Sequence, residues 1–473
     1  EEQGYGEQAR EIAAELALHF ERGREYRKAI QYLQHAAENA IRRSAHQEAI
    51  ILLTKGLELL KTLPNTPERA QQELALQIAL NDALVPAEGY TALEVEKTVT
   101  RAWELCQQLG ETPQLFPVLG RLITFYQNRG ELQTARELAE QRMRLAQNGQ
   151  DRYLLSLAHM GLGATLYFLG ELSSARPHLE QALALYDPQK HPRSTVNPTD
   201  PRVGSLSYAS WTLWCLGYPD QALKRSHEAL ALAGGLSHPF SLAYALGSAA
   251  LFHLLRREGQ LAREQAEAVI TLSTEQGFPF WLAVGTIVRG WALAEQGEVQ
   301  EGITQMRKSR VPYLLALLAE AYGKVGQVEE GLAVVAKALA AVEKTGERVY
   351  EAEVYRLKGE LTLQQLKINN VELQMTEAKG KGQKAKITNG NRSPSPDAQN
   401  EAEVCFHKAI EIAQKQQAKS LELRAVMSLS RLWQQQDKEE DARQMLAEIY
   451  NWFTEGFDTK DLQEAEALLH KLK

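Results

Sequence analysis

Five segments of this chain share one pattern, a glycine where one helical stretch ends and a small residue five positions on: Gly130 to Ala135, Gly170 to Ala175, Gly217 to Ala222, Gly297 to Gly302 and Gly326 to Gly331. A period of this size constrains the fold more than composition does, because so short a unit cannot bury its own apolar face and must stack on copies of itself. The glycine marks a place where one helix has ended and the chain reverses, which favours positive φ. The small residue then lets the next helix approach closely. Between these points apolar residues recur at spacings of three and four, as in Leu154, Leu157, Leu162, Leu166 and Leu169, then Leu172, Leu179 and Leu183. Each unit therefore reads as helix, tight turn, helix. At 473 residues the chain is too long for one compact core, and stacked units distribute the burial.

One unit supplies Leu162, Gly163, Leu166, Leu172, Ala175, Leu179 and Ala182, and another Leu318, Ala319, Tyr322, Val328, Gly331 and Ala338. These positions resemble the consensus of the tetratricopeptide repeat. The resemblance implies an all-α fold, a right-handed superhelical solenoid of antiparallel helix pairs. With Gly259 included, the anchoring glycines lie 40, 47, 42, 38 and 29 residues apart, mostly longer than the family's ~34. The proline-rich loop from Asp187 to Pro201 accounts for the longest interval. The shortest leaves the helix starting near Glu298 room only to Ser309, and the pattern before Arg310 and after Val311 reads as two intact halves with the middle removed. The pattern predicts N-terminal capping helices over 1–62, the solenoid over 63–365, a disordered insertion rich in Gly, Asn and Pro over 366–398, and C-terminal helix pairs with a cap over 399–473. Helical periodicity begins by about Glu7 with no initiator methionine, as in a sequence cut from something longer.

Chemistry is sparse. A net charge of −7 offers no whole-chain basic field for nucleic acid. Cys106, Cys215 and Cys405 are far apart within apolar helical stretches, which fits a reducing cytoplasm better than a disulfide framework. No apolar run is long enough to span a membrane. No phosphate-cradling Gly-x-x-x-x-Gly-Lys-Ser/Thr loop, His-x-x-x-His pair or nearby Cys pair occurs, so no cofactor, metal or catalytic set is expected. The basic residues from Lys379 to Arg392 read as a solvated cluster.

Recognition is what remains. In tetratricopeptide proteins the first helix of each pair lines the concave face, and carrying that register over places Ala164 and Tyr167, Trp211 and Trp214, His253 and Arg256, then Trp291 and Ala294 along one stripe. Tyr167, Trp211, Trp214, His253, Arg256 and Trp291 are the binding candidates. The competing reading is that these rings are core packing. The stretches Glu15-Leu-Ala-Leu-His-Phe20, Tyr26-Arg-Lys-Ala-Ile-Gln-Tyr-Leu33, Arg43-Ser44-Ala45, Pro312-Tyr-Leu-Leu-Ala-Leu-Leu-Ala-Glu-Ala-Tyr-Gly-Lys324 and Trp452-Phe-Thr-Glu-Gly-Phe457 resemble the helical C-terminal region of bacterial STAND-type signalling ATPases, often fused to a class III nucleotide cyclase, a kinase or a DNA-binding domain. The resemblance implies a cytoplasmic, non-catalytic sensor that binds a protein, peptide or small ligand and restrains an upstream ATPase or cyclase domain of the same polypeptide. Two other readings stand beside it: a passive assembly scaffold without switching, and an enzyme with a convergent site on a helical frame.

Overall fold

The computed structural model describes residues 12–110, 112–187, 198–307, 309, 311–380 and 396–472. Among them every regular element is an α-helix. The chain runs α1 (Ala13–Arg22), α2 (Tyr26–Arg42), α3 (His46–Leu60), α4 (Pro67–Glu88), α5 (Leu93–Leu109), α6 (Leu115–Arg129), α7 (Leu132–Gly149), α8 (Arg152–Phe168), α9 (Leu172–Leu185), α10 (Pro201–Cys215) and α11 (Pro219–Gly235). It continues through α12 (Pro239–Leu255), α13 (Gly259–Gln276), α14 (Pro279–Glu295), α15 (Val299–Met306), α16 (Pro312–Lys324), α17 (Val328–Thr345), α18 (Glu351–Gly380), α19 (Pro396–Gln416), α20 (Lys419–Gln434), α21 (Glu439–Tyr450) and α22 (Lys460–Lys471). Sequential helices pack as antiparallel neighbours, and each pair leans on the next. This is the solenoid of helix pairs that the repeat predicts.

Helix starts follow local chemistry. Asp151 caps α8, its carboxylate accepting from the Tyr153 and Leu154 N–H groups at 2.7 and 3.1 Å. Asp200 caps α10 in the same way, with Pro201 at the first helical position. Proline also opens α4, α11, α12, α14 and α16, where its missing N–H would have no intrahelical partner anyway. The corners follow the glycines: Gly130, Gly170, Gly217, Gly297 and Gly326 all have positive φ. Gly259 departs from its predicted role. Arg257 takes the left-handed conformation instead, and Gly259 is the first residue of α13.

The short interval resolves into an eight-residue α15 and a thirteen-residue α16, with Met306 and Ile303 buried in the main core. The insertion predicted over 366–398 overlaps α18, which runs on to Gly380. Residues 371–379, Val-Glu-Leu-Gln-Met-Thr-Glu-Ala-Lys, consist mainly of helix formers and hold no Gly or Pro. Residues 381–395 lie outside the described residues, as do 188–197 of the proline-rich loop.

The superhelix turns far enough to close on itself. The Arg348 N–H donates to the Phe168 carbonyl at 2.9 Å, Ser420 Oγ to the Trp214 carbonyl at 2.6 Å and Arg424 Nη2 to the Leu255 carbonyl at 2.6 Å. These three carbonyls sit in the last turns of α8, α10 and α12, where an α-helix leaves acceptors without partners. Segments far along the chain thus cap helices of the preceding turn. The corner at Gly217 shows how tight the closure is: a Cβ there would lie 2.5 Å from the Trp452 ring and 2.8 Å from Lys419 Cβ. Glycine is required at that corner twice over, for its φ of 90° and for the ring packed on it.

Candidate functional site

Closure leaves a partly open cavity of about 360 Å³ along the inside of the turn. Its wall is drawn from α4, α6, α8, α10, α12, α14 and α16, with the 347–350 corner shutting one side. Aromatic side chains dominate. Tyr167, Tyr208 and Trp211 form a mutual cluster with ring centroids 5.3 to 6.0 Å apart, and Tyr244 meets Trp281 at 5.0 Å. The Trp211 indole N–H is satisfied by the Ser248 carbonyl at 3.2 Å, which fixes the ring. Tyr167 and Tyr350 join hydroxyls at 2.6 Å across 183 residues of sequence, and Tyr313 stacks on Tyr350 at 4.1 Å. Burial raises the ionisation of Tyr167, Tyr244 and Tyr350 well above that of a free phenol, so these rings present neutral hydroxyls.

Charges sit at two levels of the cavity. At one, Arg121 grips Asp82 through two hydrogen bonds of 2.9 and 2.6 Å, and burial pushes the Asp82 carboxyl up to about 6 against the pull of Arg121. Arg142 lies at the same level, 5% exposed. Its guanidinium rests over the Phe116 ring at 4.2 Å and donates to the Leu157 carbonyl at 3.2 Å. No carboxylate pairs with it among the described residues, and its Nε has no acceptor. Gly120 leaves room for the group, since a Cβ there would come within 2.8 Å of Arg142 Cζ. At the other level Glu347 lines the cavity near Tyr167. Burial pushes its carboxyl up to about 7, and no side chain among the described residues pairs with it.

The six residues of the predicted stripe divide. Tyr167 and Trp211 line the cavity. Trp214 is 2% exposed and packs under the Arg424 guanidinium at 4.9 Å. His253 and Arg256 share Glu258, at 2.6 and 2.8 Å, and Arg256 also donates to the Pro219 carbonyl at 3.0 Å, so both serve the corner that follows α12. Trp291 is 4% exposed within the main core. The other wall residues, Tyr208, Tyr244, Phe280, Trp281, Tyr313, Tyr350, Arg121, Arg142 and Glu347, are absent from the stripe. A single register fails because the wall runs diagonally, from the last turn of α8 at Tyr167 to the first turn of α14 at Trp281. A search for aromatic residues anywhere on the first helix of each pair would have found most of them.

Among the described residues no group of three or more His, Cys, Asp or Glu side chains could hold a metal ion, and no helix is long and apolar enough to cross a membrane. All three cysteines are buried and unpaired. No protein-family model matches the chain. An uncharacterized protein of Rhizobium meliloti (strain 1021) is 24% identical over 362 residues, covering 72% of this chain; the chain spans only 34% of that relative's length. Among solved structures, a Rap protein complexed with competence and sporulation factor aligns over 94% of this chain and 99% of its own at 10% identity and a TM-score of 0.46. A human IFIT1 dimer with m7Gppp-AAAA covers 90% of each chain at 13% identity and 0.43. The yeast Tom70 covers 100% of this chain and 97% of its own at 12% and 0.35.

Proposed function

We propose that this chain is a non-catalytic sensor module whose interior cavity takes up a small molecule or a short peptide segment, and that occupancy sets how firmly the superhelical turn closes. The observation that carries the reading is the composition of the cavity wall. Tyr167 and Trp211 come from one layer of the turn, Tyr313 and Tyr350 from the next, so a ligand in the cavity they jointly line can touch both. Such a ligand binds the closed form better than the open one, and that difference in affinity is what shifts a conformational equilibrium. The volume falls within the range of pockets that hold small ligands, roughly 300–1,000 Å³. The consumer of the signal would be a fused ATPase or cyclase-type effector in a bacterial cytoplasm, a reading that rests on the resemblance of the helical stretches quoted above.

Native mass spectrometry of the purified chain, followed by a thermal-shift screen of small metabolites, tests this. A retained or added ligand is expected to raise the melting temperature, because binding to the folded state alone adds stability of about 2.7 kcal/mol at a hundred times Kd. Gly204→Leu is expected to abolish that gain: Gly204 lines the cavity, and a Cβ there meets Met160 Sδ at 3.4 Å, a contact that can relax. If ligand-induced stabilisation survives Gly204→Leu unchanged, the ligand sits elsewhere. If the chain as purified is empty and no compound shifts the melt, the passive scaffold is the better description.

A further inference from the structure

Arg142 is an anomaly within the solenoid. It projects from α7, the outer helix of its pair, between Gly120 of α6 and Gly161 of α8, to reach the cavity wall. A buried guanidinium normally faces a carboxylate, because removing an unpaired charge from water is expensive. The nearby Asp82 is already engaged twice by Arg121, so that pair is neutral and one positive charge remains. Glu347 is too distant to supply it. Arg142 lies against Gly161 of α8, whereas Glu347 lies beside Tyr167 six residues on, about 9 Å along the helix and beyond ion-pair reach. One bond to a main-chain carbonyl and one ring face leave the fork of donors largely unused.

On the reading that the cavity is a ligand site, we infer that its ligand carries a carboxylate on an aromatic or apolar body, with Arg142 holding the carboxylate and the Tyr167, Tyr208 and Trp211 cluster holding the body. A monoanion matches the single uncompensated charge, and the planar guanidinium matches two carboxylate oxygens in geometry. The carboxylate can belong to a free small acid or to the C-terminus of a peptide. Both present the same group to Arg142.

The experiment is a tryptophan-fluorescence titration, since Trp211 and Trp281 line the cavity. Two matched pairs of probes are used: 4-phenylbutyrate against 4-phenylbutanol, and N-acetyl-Ala-Phe as free acid against its amide. The acids are expected to bind at least tenfold tighter than their neutral partners. Arg142→Gln is expected to remove that preference while leaving binding of the neutral partners within about twofold. Gly120→Ala, which displaces the guanidinium without deleting its charge, is expected to weaken the preference too, and it keeps the test valid if Arg142→Gln does not fold. Whichever acid binds tighter identifies the source of the carboxylate. Equal binding of acid and neutral probe, or a preference that survives both substitutions, overturns the carboxylate assignment and leaves the cavity reading standing. Failure of all four probes also overturns it, and the outcome for Gly204→Leu in the metabolite screen then decides the cavity reading separately.

Discussion

Glu347 is a carboxylate placed where its charge is poorly tolerated, and that makes it measurable. Its folded value of about 7 lies above the ordinary 4.5, so the native state holds its proton more tightly than the unfolded chain does. Stability therefore falls as pH rises from about 4.5 to 7, and the full penalty stands above 7. Glu347 keeps some accessible surface, which screens part of the effect, so roughly 1–3 kcal/mol is the scale. Glu347→Gln is expected to stabilise the chain by that amount in urea melts at pH 8 and by almost nothing at pH 4.5. Equal gains at both pH values would show that the carboxyl is not the cause. Arg142 and Glu347 were both illegible in the sequence. Arg142 sits in Glu137-Leu-Ala-Glu-Gln-Arg-Met-Arg144, which reads as a solvated helix face, and only the glycines on two neighbouring helices let it turn inward.

Among the helices, α8, α10 and α12 are each held at the C-terminus by a later segment of the chain. Ser420 Oγ on the Trp214 carbonyl is a neutral hydrogen bond in a buried setting, and Ser420→Ala is expected to cost about 1 kcal/mol. Arg424 does more. It caps the Leu255 carbonyl, pairs with Asp461 at 2.7 Å and covers the Trp214 ring. Arg424→Met keeps the packing stem but strands the carbonyl and half-strands Asp461, which keeps Arg257 at 3.0 Å. A loss of about 2–4 kcal/mol is expected in equilibrium unfolding, and a loss no larger than that of Ser420→Ala would mean the clasp contributes little. What the sequence made legible at this level was local: corner glycines, small residues after them, prolines at helix starts and the apolar spacing of three and four. The clasp joins residues such as Ser420 and Trp214, 206 positions apart, and no periodicity carries that information. For the same reason Trp214, His253 and Arg256 looked like groove residues, since a helix end awaiting a distant partner has the same local pattern as one awaiting a ligand.

For the molecule as a whole, the two sets of carboxylates respond to acid in opposite directions, and this separates the cavity from the clasp. Burial alone would raise Asp461 and Glu353, but Arg424 and Arg257 hold the first, and Arg356 and Arg424 the second, below their ordinary 3.8 and 4.5. Groups lowered on folding contribute stability that is present above those ordinary values and is lost as pH falls through the lower folded ones. Asp82 and Glu347, raised on folding, become less costly over the fall from about 7 toward 4. Mild acid therefore eases the cavity while the clasp is intact, and stronger acid releases the clasp. Hydrogen exchange followed by mass spectrometry, corrected for the intrinsic pH dependence of exchange, is expected to show residues 419–471 losing protection between pH 4.5 and 3 before α8 and α9 do, with a rise in radius of gyration by small-angle scattering over the same range. Because the closed turn is built from many modest interfaces, loss of the clasp should open the superhelix while its helix pairs persist. Simultaneous loss of protection throughout the chain would instead show that closure and the helix pairs form one cooperative unit, and that the turn cannot act as a switch without unfolding.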